Sequence, residues 1–354
     1  MTSLAADLSD TGEPEDLVPD EPLTTKEGWR RFVAHQPTPP AALTADGLAE
    51  LPSRTRAELL QARRDYHSDL PLAATPTMRK LLTSGRLLIQ LNRGQISARR
   101  GLILSGASGT GKTTALTQLG RTHHRAVAKR YPGRAGEHRI PVVYVTVPTA
   151  ATPKMLAIEF ARFYGIELGP RVTMPDIVNT VCSAAARTHL ELVLIDEIHN
   201  ISLASRSGAE VADQLKYFAE RLPVTFAYAG IEVEEQGLFA GPRGRQIAGR
   251  FALINAAPFD YGTLEQRDAW RALVATLEGA LRLHAHRPGT LVEHAEHLYQ
   301  LTGGMIGSLS ALIRGAAVLS IDDESEQITP DLLELIPLDH AATRTAPARR
   351  KKKR

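Results

Sequence analysis

Cysteine is nearly missing from this chain: Cys182 is the one thiol in 354 residues. A single cysteine excludes an internal disulfide and the small stapled scaffolds that depend on them. It lies among apolar residues of an expected helix and reads as a buried, inert thiol. Long apolar runs are also lacking, and none approaches the roughly 18 to 20 residues that cross a bilayer. The N-terminus, "MTSLAADLSDTGEPEDLVPDEP", has no basic n-region followed by an apolar core, so it is not a signal peptide. No internal repeat is apparent. No zinc-finger spacing is present, and no recognition helix stands out. These absences predict a protein of a reducing cytoplasm with no membrane partner.

What is present is ordinary in amount and uneven in placement. Apolar residues make up 43% and charged residues 23%, near the averages for globular domains, and the net charge is only +3. Residues 7 to 21 nevertheless carry seven acids and no base, and the chain ends "ARRKKKR" with six bases in its last six positions. Blocks of like charge are disordered, solvated tails or, for the basic one, contacts to phosphate backbones. Residues 1–24 and 339–354 are therefore expected to be disordered acidic and basic tails. Residues 25–96 read as a helical leader broken by "QPTPP" and "LPSRT".

From residue 97 to 261 the pattern alternates. "GLILSG", "IPVVYVTV", "ELVLIDE", "VTFAYAG" and "FALINAAPF" are strand-like, and helical stretches separate the first four. Strands that are apolar throughout and alternate with helices predict a parallel sheet covered on both faces. One of the helices, "TPKMLAIEFARFYG", has Thr152 placed to cap it and Pro153 in its first turn. Residues 262–338 then read as helices alone. The expected fold is α/β, a phosphate-loop core with a parallel sheet followed by a small all-helical lid.

"GASGTGKTT", Gly106 to Thr114, fills the pattern G-x-x-x-x-G-K-[ST] between an expected strand and helix. Here the glycines let backbone N–H groups turn inward around a β-phosphate. Lys112 reaches the β and γ oxygens, and the Thr113 hydroxyl takes a place on Mg²⁺. The candidate nucleotide residues are Gly106, Ala107, Ser108, Gly109, Thr110, Gly111, Lys112, Thr113 and Thr114. "LVLIDE" supplies the second half. Asp196 at the end of a buried apolar strand holds the magnesium shell, so Thr113 and Asp196 are the metal residues. Glu197 polarises the attacking water, and ATP is the expected cofactor. Arg250, just before the last strand, is the candidate catalytic arginine, projecting toward a neighbouring subunit's γ-phosphate. Arg243 and Arg245 are weaker candidates.

"GASGTGKTT", "LVLIDEIHNI", "GRF" and "LTGGMIGSLSALIRGAA", with the upstream "RRDYHSDLPLAATPTMRKLL", resemble the AAA+ ATPases of the TniB type. These are helper proteins of DNA transposition related to TnsC, the phage Mu B protein and IstB. The likeness covers roughly residues 60 to 325. It implies a five-stranded core with a helical lid and ATP-dependent homo-oligomers on double-stranded DNA, as a ring or a helical filament. It further implies target marking for a DDE-type transposase, and ATP turnover that takes the assembly apart. Carried over to this chain, His199 and Asn200 would relay DNA or partner contact to Glu197. Two departures from the family pattern stand out. Ile231 occupies the place after the fourth strand where relatives tend to carry a polar residue. "GGMIGSL" has no arginine where many such proteins touch the nucleotide in cis, Arg314 lying further along that helix. Weak or partner-dependent hydrolysis would follow.

Contact to duplex without base readout needs lysines and arginines spaced to meet phosphates. The densest basic stretch outside the tail, Arg121 to Arg139, contains Arg125, Lys129 and Arg130, and it is either such a contact or a solvated loop. Relatives place backbone contacts in the loop after the second strand, here Thr152 and Lys154. His294 and His297 in "EHAEH" are spaced one helical turn apart but have no evident third ligand, so a solvated helix face outweighs a metal site. A nucleotide switch that recruits a protein effector and ignores DNA is the competing reading. A replication initiator would want a winged-helix module after the lid, for which residues 325 to 354 are too few.

Overall fold

The computed structural model describes residues 21–41, 43–97, 99–133, 138–201, 206–234 and 249–338. The two expected tails, apart from residues 21–24, together with Arg243 and Arg245, lie outside those residues. Four short segments of sequence make the leader: α1 (Lys26–Ala34), α2 (Ala45–Ala49), α3 (Ser53–Ser68) and α4 (Pro76–Asn92). The central unit follows as β1 (Gly101–Ser105), α5 (Lys112–Arg130), β2 (Val142–Thr146), α6 (Pro153–Phe163), α7 (Met174–Arg187), β3 (Leu192–Asp196), α8 (Arg206–Arg221), β4 (Thr225–Gly230) and β5 (Phe251–Asn255). The lid is α9 (Leu264–Glu278), α10 (Thr290–Glu293), α11 (Ala295–Thr302), α12 (Ile306–Asp322) and α13 (Pro330–Leu335).

All five strands are parallel, in the order β2-β3-β4-β1-β5. β1, β3 and β4 are buried along their whole length, as the unbroken apolar runs require of strands covered on both faces. β5 is an edge strand and is exposed at Ala252, Leu253 and Asn255. Because the strands run in parallel, the segments that follow β1, β2, β3 and β4 all emerge at one end of the sheet. That end collects the chemistry. Helix starts follow the expected local rules. Thr152 accepts the Met155 amide at 3.2 Å ahead of Pro153, and Thr173 and Asp176 close a capping box on α7.

Two hydrophobic cores hold the chain, and the leader is divided between them. Trp29 of α1 and Met78, Leu81 and Ile89 of α4 belong to the sheet core. Tyr66 of α3, with Leu70 and Ala73 beyond it, belongs to the lid core with Trp270, Leu309 and Leu312. A buried ion pair seals the second junction: Arg63 of α3 meets Glu326, beyond α12, with side chains only 7% and 4% exposed. On the other side Trp29 stacks on Tyr144 at 6.0 Å and donates its indole N–H to His124 Nδ1 at 3.2 Å. Burial depresses that histidine to about 4, helped by the Arg30 charge and His123. No single helix among the described residues is long and apolar enough to cross a membrane.

Candidate nucleotide site

The phosphate loop leaves β1 and turns into α5 through Gly111, whose left-handed backbone (φ 81°) a side chain rarely adopts. Gly111 also brings no capping side chain, so the first amides of α5 face outward for an anion. Thr110 stiffens the loop by donating to the Ala107 carbonyl at 2.8 Å. Lys112 Nζ donates to the same carbonyl at 2.7 Å. Burial lowers the Lys112 ammonium's pKa, and Asp196, Glu197 and Glu232 oppose that shift, so three carboxylates surround one lysine.

Asp196 ends β3 and is 3% exposed. One of its oxygens accepts the Tyr144 hydroxyl at 3.0 Å and the other accepts the Glu197 amide at 2.9 Å. Burial first, and then the Asp196 charge, push the Tyr144 phenol upward, which keeps it a donor. Glu197 itself sits in the left-handed region (φ 57°), an uncommon place for a residue with a side chain and one associated with functional sites. Its carboxylate lies 3.1 Å from His199 Nε2. Among the described residues no group of three His, Cys, Asp or Glu could hold a metal ion by itself. Thr113 and Asp196 are hard oxygen donors that fit Mg²⁺, which commonly completes its shell with phosphate oxygens and water. His297 lies 3.5 Å from Glu334 and His294 is the N-cap of α11, so the two histidines share the first turn of that helix.

A cavity of about 180 Å³ opens directly beside the phosphate loop. Its walls come from four distant segments: Pro71, Leu72, Ala73, Thr75 and Met78 of the leader; Thr110, Gly111 and Thr114; Leu277; and Ile306, Gly307, Ser310 and Arg314 of α12. Mostly apolar, with one arginine and four hydroxyls, it suits a flat heteroaromatic base. The lid reaches the loop itself, since the Gly307 amide donates to the Gly109 carbonyl at 3.0 Å. Residues 95–238 match the family model described as an AAA domain.

The middle of the chain is similar to an AAA domain. Its sheet order, phosphate loop and helical lid are those of the AAA+ P-loop fold, and solved structures share it. The Aeropyrum pernix ORC1 protein, solved in complex with DNA, is 17% identical over 76% of this chain and 66% of that one, with a TM-score of 0.54. The ADP form of the Aeropyrum pernix ORC2 protein is 15% identical over 77% and 71%, with a TM-score of 0.55. Cdc6p from Pyrobaculum aerophilum is 17% identical over 76% and 69%, with a TM-score of 0.52. At such identities the likeness concerns the fold, and this chain spans only 66% of the ORC1 chain's length. None of the curated proteins matches.

The other candidate residues fall in separate places around this domain. Arg250 is exposed and its carbonyl accepts the Gly101 amide, so it stands at the start of β5, away from the phosphate loop. Four strand steps separate those ends, about 13 Å at the usual rise. Thr152 and Lys154 follow β2 at the loop end of the sheet, where Lys154 donates to the Val172 carbonyl at 3.1 Å. Arg125, Lys129 and Arg130 lie on α5, whose C-terminal turns run to the opposite end. The stretch expected as a loop is therefore helical as far as Arg130. Arg125 is occupied, donating to the Val33 carbonyl at 2.9 and 2.6 Å and so capping α1. Lys129 and Arg130 are exposed. The five do not form one surface. Missed from the sequence were Tyr144 and the part the leader plays as a wall of the cavity, while Arg314, left without a role in the sequence, lines that cavity too.

Proposed function

We propose that this chain is an ATPase that polymerises on double-stranded DNA, regulates transposition, and uses hydrolysis to release the assembly. The observation that carries the reading is the convergence at one end of the sheet of a phosphate loop, a buried aspartate and adjoining glutamate, and a base-sized cavity closed by leader and lid. In this reading the amides after Gly111 and the Lys112 ammonium hold the triphosphate, with Gly106 to Thr114 wrapping it. Thr113 and Asp196 hold Mg²⁺, which would neutralise phosphate charge in the transition state. Glu197 orients the attacking water and takes its proton. Arg250, too far from its own loop, serves the next subunit, so turnover depends on assembly.

The transposition assignment rests on the TniB-like motifs, and one of them gains a physical role. The leader segment "LPLAATPTM" that contributes to the resemblance is the wall of the cavity. The neighbouring fold of ORC1 was solved with DNA, which supports a duplex partner. Exposed Lys129 and Arg130, Thr152 and Lys154, and the basic tail are the phosphate contacts proposed here, and a DDE-type transposase is the proposed client. The test is retention of random-sequence duplex on a filter with ATP and Mg²⁺. Wild type should retain it, Lys112→Ala should not, and Glu197→Gln should hold it longer than wild type. Loss of Glu197→Gln from duplex faster than wild type in saturating ATP would refute the mechanism. ATP binding without any retention would favour the switch that recruits a protein.

A further inference from the structure

Ile231 follows β4 and brings no polar side chain to that end of the sheet, yet its backbone is not idle. Gly230 has no Cβ; one placed there would come within 2.7 Å of Ile198 Cγ2 and 3.1 Å of the His199 amide nitrogen. Glycine thus lets the short 3-10 turn Ile198–Asn200 press against the end of β4. With the turn that close, the Ile231 amide donates to His199 Nδ1 at 3.3 Å. A ring nitrogen that accepts carries no proton, so in the neutral ring the proton sits on Nε2. Nε2 is the atom 3.1 Å from the Glu197 carboxylate. The turn is tied on its other side as well: Asn200 donates to the Val147 carbonyl at 2.8 Å, at the end of β2.

We infer that His199 is a positioning residue for ATP hydrolysis, fixing the Glu197 carboxylate through a bond whose direction the Ile231 amide sets. This inference rests on the ATPase reading of the site. The Glu197 side chain is 42% exposed and its backbone is in a left-handed conformation, so without a partner its carboxylate would sample several rotamers. One oxygen held by His199 leaves the second for the water. Ile231 then needs no polar side chain, because its amide acts on the glutamate through the imidazole ring.

The test compares steady-state ATP turnover by the full-length chain with duplex present in wild type, His199→Phe, His199→Gln, Glu197→Gln and the Glu197→Gln/His199→Phe double variant. Phe keeps the ring's bulk and removes both hydrogen bonds; Gln restores a donor toward Glu197. Misplacing a reacting group by about 1 Å costs up to about 100-fold, so His199→Phe should lower kcat about 10- to 100-fold. KM, the affinity for a non-hydrolysable ATP analogue and the melting temperature should stay at wild-type values. His199→Gln should recover part of kcat, and the double variant should be no slower than Glu197→Gln. A His199→Phe kcat at or above wild type overturns the inference, as does a double variant slower than Glu197→Gln. Wild type that turns over no ATP, with or without duplex, overturns the ATPase reading and this inference with it.

Discussion

Glu326→Gln tests how leader and lid are joined. Arg63 Nη1 donates to Glu326 Oε1 at 2.6 Å, Nη2 bonds the other oxygen, and the same nitrogen reaches the Arg282 carbonyl at 3.1 Å. His284 Nδ1 adds a contact at 3.2 Å. With the two side chains 7% and 4% exposed, the amide would leave a guanidinium charge buried without its counter-charge. Breaking one side of a buried pair costs about 3–5 kcal/mol. With a urea dependence of about 1–3 kcal/mol per molar, the lid transition should move down by about 1 M or more. The two tryptophans separate the cores, because Trp29 sits in the sheet core and Trp270 in the lid core. Urea unfolding followed by Trp270 fluorescence in a Trp29→Phe background reads the lid. Arg63→Met with Glu326→Leu should recover most of the loss, since an apolar pair of similar volume often replaces a buried ion pair without cost. A lid midpoint that moves by less than about 0.2 M in Glu326→Gln would refute the reasoning.

Other outcomes follow from single contacts. Arg250→Ala alone should lower ATP turnover at least about 1,000-fold, the lower figure for an arginine acting in trans. Mixing it with Lys112→Ala, itself inactive and unable to bind a fluorescent ATP analogue, should restore turnover, because one variant supplies the arginine and the other the nucleotide. His124 has a folded pKa of about 4, below its ordinary 6.5, so the unfolded chain binds more protons between those values. Stability should therefore fall as pH drops from about 6.5 to about 4 and flatten below, and His124→Gln should lose that slope in denaturant midpoints taken across the range. Tyr144→Phe should leave the Asp196 carboxylate one donor short, a loss of about 1.5–3 kcal/mol for a charged group, read as a lower melting temperature.

How much could be read beforehand depends on how local each cause is. β1 to β4 were legible because a strand buried on both faces must be apolar throughout, and Thr152 announces its helix by capping it. The phosphate loop and the Asp196–Glu197 pair were legible because their chemistry is packed into consecutive residues. The cavity was not, since Leu72, Met78, Leu277 and Ile306 are ordinary apolar residues until the fold brings four segments together. Tyr144 reads as core in "VVYVT", and only the parallel register placing Thr146 opposite Asp196 shows that its hydroxyl meets a carboxylate. Arg125 reads as a free cation, but the fold spends it on the Val33 carbonyl. The side α3 takes is also a tertiary outcome, fixed by Tyr66 and Arg63 finding the lid rather than the sheet.

The central claim is that triphosphate bound at this site joins copies of the chain along a duplex. Sedimentation velocity of the purified chain with Mg²⁺, a slowly hydrolysed ATP analogue and random-sequence duplex tests it most directly. The account predicts a large species carrying many copies per duplex, absent when either nucleotide or DNA is left out and absent for Lys112→Ala. A chain that sediments as a monomer with all three in excess would contradict it.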